Sequence, residues 1–324
     1  MKTASKYGYA GKKKKRKYVR KEERRYIIAG IVSIILLVCV SAALVSNEGK
    51  RENKKTVKKE AEEKIKDPHE GQVYLYDGFD WIWMTPLKGV PVNDLTEKDF
   101  AVSNGKINYV GEKYDTLRGI DVSEHQKEID WKAVADSGID YAYIRVGRRG
   151  YTEGGLFDDA YFQRNILEAQ AAGLKTGVYI FSQAVTVQEA IEEANYLIEK
   201  VEEYNVPMPV AYDWEKISED GSRTAELSME TRTDCAVAFC ETIRNAGYVP
   251  CVYINRNMGY YGYDLSRLDD YQIWFSLPES GFPNFYYHVD MWQYSFTETV
   301  PGISEKTDMN LWFIPEAETI SSTP

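Results

Sequence analysis

From Arg118 onward, short apolar runs alternate with longer amphipathic ones, the pattern of strands separated by helices. The pattern predicts strands over Gly119–Val122, Tyr141–Val146, Lys175–Phe181, Pro209–Trp214 and Pro250–Asn255. Helices are predicted between them, over Trp131–Ser137, Asp158–Ala172, Val187–Val201 and Ser228–Ala246. Gly138, Gly173 and Gly247 each fall just past a helix, where a left-handed cap favours glycine. This is the β/α rhythm of a parallel sheet, and its length suits a barrel better than an open sheet. After Asn255 the rhythm changes: Gln272–Ser276, Val289–Tyr294 and Asp308–Phe313 read as strands with little helix between them, so the barrel should close irregularly.

Upstream the pattern is different. Residues 26–46 carry no charge, and at ~1.5 Å per residue their length matches a hydrocarbon core of about 30 Å. They read as a transmembrane helix. A cleaved secretory signal is the competing reading, since Ser41-Ala42-Ala43 offers small residues, but the run exceeds the roughly 7–15 residues of a signal core. Residues 1–25 hold twelve Lys/Arg against two Glu, which places this basic tail in the cytoplasm and everything after the span outside. Residues 47–72 are almost wholly polar and read as a stalk. Residues 73–116, with YLYDGFDWIWM and the turn signals Asp77-Gly78 and Asn104-Gly105, predict a small β-rich appendage. The barrel is assigned to residues 117–315, and residues 316–324 form a tail.

Charge narrows the function. Residues 73–324 carry 20 Lys/Arg and 41 Asp/Glu, near −21, which excludes a nucleic-acid partner. Neither a dinucleotide fingerprint nor a phosphate loop is present, so no cofactor is expected. The three histidines, His69, His125 and His288, lack HxxxH or HxH spacing, so no metal is expected and a zinc peptidase or deacetylase is hard to build. Cys235, Cys240 and Cys251 read as buried free thiols, and there is no GxSxG elbow. A monomer is expected.

The candidate chemistry lies in VAYDWE, where Asp213 and Glu215 are two apart at the end of an apolar strand and so share a face. An isolated D-x-E is more often an exposed or salt-bridged pair, but here the carboxylates end a buried strand. Two such groups raise the pKa of at least one, which keeps a carboxylic acid protonated near neutrality. Barrel enzymes place reacting groups at the C-terminal ends of their strands, so the first strand adds Asp121 and the second Arg145. Several carboxylates around one mouth form a glycosidase-like constellation. Flat rings near strand ends, Tyr179, Tyr212, Trp214, Trp274, Trp292 and Tyr294, are candidates to bind a polysaccharide, although core packing is the commoner role of any one ring.

Taken in order, GIDVSEHQ, IDWKAVADSGIDYAYIRVG, AGLKTGVYIFSQA, PVAYDWE, GYVPCVYIN, MWQYS and TDMN resemble glycoside hydrolase family 25, the N-acetylmuramidases or Chalaropsis-type lysozymes, over residues 118–314. The resemblance implies a TIM-like (β/α)5(β)3 barrel and cleavage of the β-1,4 bond between N-acetylmuramic acid and N-acetylglucosamine in peptidoglycan strands. It implies Glu215 as general acid with Asp213 beside it, Asp121 as the first-strand aspartate and Asp308 as that of the last motif. Where the family often reads Y-H-F, this chain has Tyr179-Ile180-Phe181, leaving Ser182 or Gln183 to replace the histidine contact. The rival reading is a membrane-tethered wall-binding or scaffold protein that keeps the barrel as a glycan receptor.

Overall fold

The computed structural model describes residues 67–103 and 105–315. The expected cytoplasmic tail, membrane span and terminal tail, and nearly all of the stalk, lie outside them. Among the described residues no helix is long and apolar enough to cross a membrane.

The described residues form thirteen strands: β1 (Val73–Tyr76), β2 (Trp81–Met84), β3 (Phe100–Ser103), β4 (Lys106–Tyr109), β5 (Tyr114–Val122), β6 (Tyr141–Arg149), β7 (Leu156–Asp158), β8 (Lys175–Ser182), β9 (Val210–Trp214), β10 (Pro250–Asn255), β11 (Gln272–Ser276), β12 (Met291–Glu298) and β13 (Thr307–Pro315). Four α-helices cross between them: α1 (Trp131–Asp136), α2 (Phe162–Ala171), α3 (Val187–Val201) and α4 (Met229–Asn245). Parallel pairing runs from β5 through β6, β8, β9, β10 and β11 to β12; β13 then pairs antiparallel with both β12 and β5 and closes an eight-stranded barrel. The short β7 folds back on β6. β5 starts at Tyr114, so the boundary expected at residues 116–117 falls inside a strand.

All five residues of β9 are buried, as a parallel strand covered on both faces requires. The predicted caps form as expected, with Gly138, Gly173 and Gly247 at φ +86°, +88° and +92°. The barrel interior is filled by Tyr141, Tyr143, Tyr179, Ala211, Tyr253, Trp274 and their neighbours. Gly119 makes room for one of these rings, since a Cβ there would lie 2.1 Å from the Tyr141 ring.

One departure from the implied five β/α units lies between β10 and β11, where no fifth α-helix forms. The connection is a π-helical turn, Met258–Gly262, and a 3-10 turn, Leu265–Arg267. Gly259 packs so closely on Phe285 that a Cβ would come within 2.4 Å of its ring. The segment is a tight, glycine-bearing strap with little room for a helix.

Residues 73–112 form two hairpins, β1–β2 and β3–β4, against this barrel. Phe100 stands edge-on to Trp292 and Phe313, and the Arg118 guanidinium donates to the Ile107 carbonyl at 2.7 Å. Asn93 donates from Nδ2 to the carbonyls of Pro283 and Phe285, and Leu87 N–H donates to the Tyr287 hydroxyl.

Candidate active site

At the C-terminal ends of the parallel strands a cleft of about 310 Å³ is lined by Asp121, Arg145, Tyr179, Asp213, Glu215, Tyr253, Trp274, Gln293 and Asp308, with His125 and Phe296 at its edge. Asp121 ends β5, and Asp213 with Glu215 ends β9. Asp308 begins β13, but β13 runs antiparallel, so its start lies at the same mouth and pairs directly with Asp121. All four expected carboxylates therefore converge.

Their surroundings set them apart. The Asp121 Oδ2 accepts from Asn310 Nδ2 at 2.8 Å and from Gln293 Nε2 at 2.9 Å. Both amides are held in donating orientation: the Trp274 indole N–H donates to Asn310 Oδ1 at 2.8 Å, and the Tyr253 hydroxyl donates to Gln293 Oε1 at 2.7 Å. Burial raises the Asp121 carboxyl to about 6, while these two amide donors favour its charged form and limit the rise. Asp308 has one long contact, from Gln293 Nε2 at 3.3 Å, and is pushed to about 8 by burial and by the charges of Asp121 and Glu215.

Burial, the Glu215 charge beside it and Asp121 raise Asp213 well above the ordinary carboxylate range. Glu215 is also raised, by burial first, with a hydrogen bond to Asp213 opposing the shift. Two carboxyls in contact out of water hold a proton between them. At neutral pH the mouth therefore presents an ionised Asp121, while burial makes Asp213 and Glu215 hold a proton more tightly than ordinary carboxyls. Arg145 lines the wall with its guanidinium engaged by Asp159 at 2.9 Å and Glu124 at 3.2 Å.

Of the rings expected to meet sugar, Tyr179 and Trp274 line the cleft. Tyr212, Trp214, Trp292 and Tyr294 do not, which corrects that expectation. Tyr212 packs on Phe239 of α4, and Trp214 donates to the Ala184 carbonyl with Arg232 over its ring. Trp292 donates to the Leu277 carbonyl, and Tyr294 meets Arg118. The reason is the two-residue period: Asp213 and Gln293 point inward, so their chain neighbours point outward.

Gln293, Asn310 and Tyr253 are residues at the site that the sequence reading did not single out. The first two are amides inside apolar strand runs, and that oddity was the available signal. Gln183 does not line the cleft; it is buried and donates to the Glu215 carbonyl at 2.8 Å, while the Thr224 hydroxyl donates to its Oε1. Ser182 is likewise buried away from the cleft. Among the described residues no group of three or more His, Cys, Asp or Glu side chains is arranged to hold a metal ion. Cys235, Cys240 and Cys251 are buried and unpaired, and burial raises Cys235 to about 12, far from a reactive thiolate.

Residues 120–303 match the sequence pattern of the Glycosyl hydrolases family 25. The chain belongs to this family. An autolytic lysozyme of Clostridium acetobutylicum is 27% identical over 195 residues, covering 60% of this chain and 55% of the relative's length. This chain thus matches little more than half of that lysozyme. The modular autolysin LytC of Streptococcus pneumoniae superposes with a TM-score of 0.54 at 25% identity, over 75% of this chain and 56% of that one. A bacterial lysozyme from Streptomyces coelicolor, at 23% identity, shares the fold with a TM-score of 0.51 over 63% of this chain and 95% of its own. The matched residues include Asp121, Asp213 and Glu215.

Proposed function

We propose that this family 25 chain is a muramidase that hydrolyses the β-1,4 bond between N-acetylmuramic acid and N-acetylglucosamine in peptidoglycan. The observation that carries the proposal is the convergence in one cleft of the buried Asp213–Glu215 pair and the doubly hydrogen-bonded Asp121. Glu215 delivers its proton to the glycosidic oxygen as the bond to the anomeric carbon breaks. Asp121 provides negative charge toward the oxocarbenium-like centre that develops. Tyr179 and Trp274, which line the cleft, offer ring edges to the sugar. The lysozyme names of the relatives support this substrate.

Mass spectrometry of fragments released from purified peptidoglycan tests the assignment, with Glu215→Gln alongside. The wild-type chain should release fragments ending in reducing N-acetylmuramic acid, and the variant should lose at least about 10³-fold in turnover while still binding walls. Wall binding without release by the wild-type chain would favour the receptor reading.

The same proposal places the enzyme as a monomer on the outer face of the cell membrane, tethered through residues 26–46 with its N-terminus in the cytoplasm. The uncharged run and the basic residues before it support this topology. Release of the protein from membranes by alkaline carbonate would argue against an anchor.

A further inference from the structure

The β1–β2 hairpin has two chemically different faces. Its register pairs Tyr74 with Trp83 and Tyr76 with Trp81, so four aromatic rings share one face, while Val73, Leu75, Ile82 and Met84 share the other. Met84 packs on the barrel core. The aromatic face is open: Tyr74 is 55%, Trp81 63% and Phe79, at the turn, 70% exposed. The rings form a plateau, with Tyr74 stacked on Trp81 at 5.3 Å and 26° and meeting Trp83 at 5.0 Å.

The hairpin is clamped at the catalytic end of the barrel. Tyr253 lines the cleft from β10, and Arg256, three residues on and so about 10 Å farther along, lies 5.7 Å from the Tyr76 ring. Tyr261, in the strap after β10, donates its hydroxyl to Asp77 Oδ2, while Asp77 Oδ1 accepts from the N–H groups of Phe79 and Asp80. The rings are therefore mounted at the same end of the barrel as the mouth.

We propose that this aromatic face is an accessory binding surface for sugar units of the same glycan strand beyond the cleft. The idea rests on the muramidase reading. A cleft of about 310 Å³ is at the small end for ligand sites, so a polymeric glycan must run past it. Pyranose rings present a face of C–H groups, which suits the electron-rich faces of Trp and Tyr, whose polar tips then meet hydroxyls. Charge separates a glycan from the other surface rich in such rings, an anionic bilayer: residues 73–324 are near −21 and would be repelled.

The test uses the full-length chain and the double variant Tyr74→Ala/Trp81→Ala, with Tyr74→Phe/Trp81→Tyr as the conservative control. Turnover is measured on a soluble peptidoglycan tetrasaccharide and on long glycan strands, and pelleting is measured with purified walls. The alanine variant should keep tetrasaccharide turnover, which also reports an intact barrel, and raise KM on long strands roughly tenfold or more. Wall pelleting should weaken to match, and the aromatic control should restore both. Unchanged KM on long strands and unchanged wall pelleting overturn the proposal. Failure of the wild-type chain to cleave either glycan would instead sink the muramidase reading.

Discussion

The Gln183 side-chain amide donates to the backbone carbonyl of Glu215 at 2.8 Å, so the chain that carries the acid is held from the neighbouring strand. Glu215 lies one residue past the end of β9, where the ladder no longer fixes it. We expect Gln183→Leu to lower kcat about 10–100-fold with KM nearly constant, because a misplaced acid affects the transition state more than the bound sugar. Gln183→Asn should recover less than Gln183→His or none at all if reach decides the contact. A kcat equal to wild type in Gln183→Leu would show that Glu215 needs no such support.

Activity should follow a bell-shaped pH profile. The acid limb belongs to Asp121, at about 6: as pH falls through that value the carboxylate is protonated and the charge opposing the oxocarbenium centre is lost. The basic limb belongs to the Asp213–Glu215 pair, whose shared proton leaves as pH rises. Asn310→Leu removes one of the two donors that favour ionised Asp121, so its acid limb should move to higher pH and activity at pH 6 should fall several-fold. An acid limb that stays in place would detach it from Asp121.

The released hemiacetal should retain its anomeric configuration. Inversion requires an ionised carboxylate to activate water, and the candidates are poorly suited: Asp308 sits at about 8 and is protonated at neutrality, while Asp121 is 8% exposed with one oxygen committed to two amides. Attack by the substrate's own 2-acetamido oxygen, oriented by Asp213 beside the acid, needs no such base in the first step; water then opens the cyclic intermediate and gives its proton to the Glu215 carboxylate left by that step. Proton NMR of the first products, before mutarotation, gives the answer, and an inverted product would reassign the water-activating role to Asp121 or Asp308.

Stability should be traded against this charge. A carboxyl whose folded pKa is raised favours the folded state most where it is protonated, so the Asp308 contribution is complete below about 4 and is lost as pH rises toward about 8. Asp308→Asn should therefore be more stable than wild type at pH 7–8, by on the order of 1–3 kcal/mol, and equally stable near pH 4. Chemical or thermal denaturation at the two pH values checks this; equal stability at both would mean that Asp308 is better solvated than its burial implies.

How far the site was legible shows in β9. The spacing of Asp213 and Glu215 at the end of an apolar run located the acid pair from local pattern alone, because a strand's period of two is a covalent property. That same period put Tyr212 and Trp214 on the helix-facing side, so their proximity in sequence to the acids was no guide to contact with sugar. Asp308 was reached only through resemblance: the rule that reacting groups end their strands applies to parallel strands, and β13 runs the other way.

The sequence by itself determined the alternation of strands and helices, the positions of the glycine caps, the break in rhythm after Asn255 and the clustering of carboxylates at strand ends. All of these depend on neighbours within a few residues, where backbone geometry and hydrophobic period are decisive. Only the tertiary structure decided which carboxylate is charged, because Asn310 and Gln293 reach Asp121 across 189 and 172 residues of chain and are oriented by Trp274 and Tyr253 from two further strands. It also decided that a strap replaces a fifth helix and that an aromatic hairpin stands beside the mouth. Barrel closure brings these groups together, and a carboxyl's pKa responds to whatever surrounds it in space, regardless of separation along the chain.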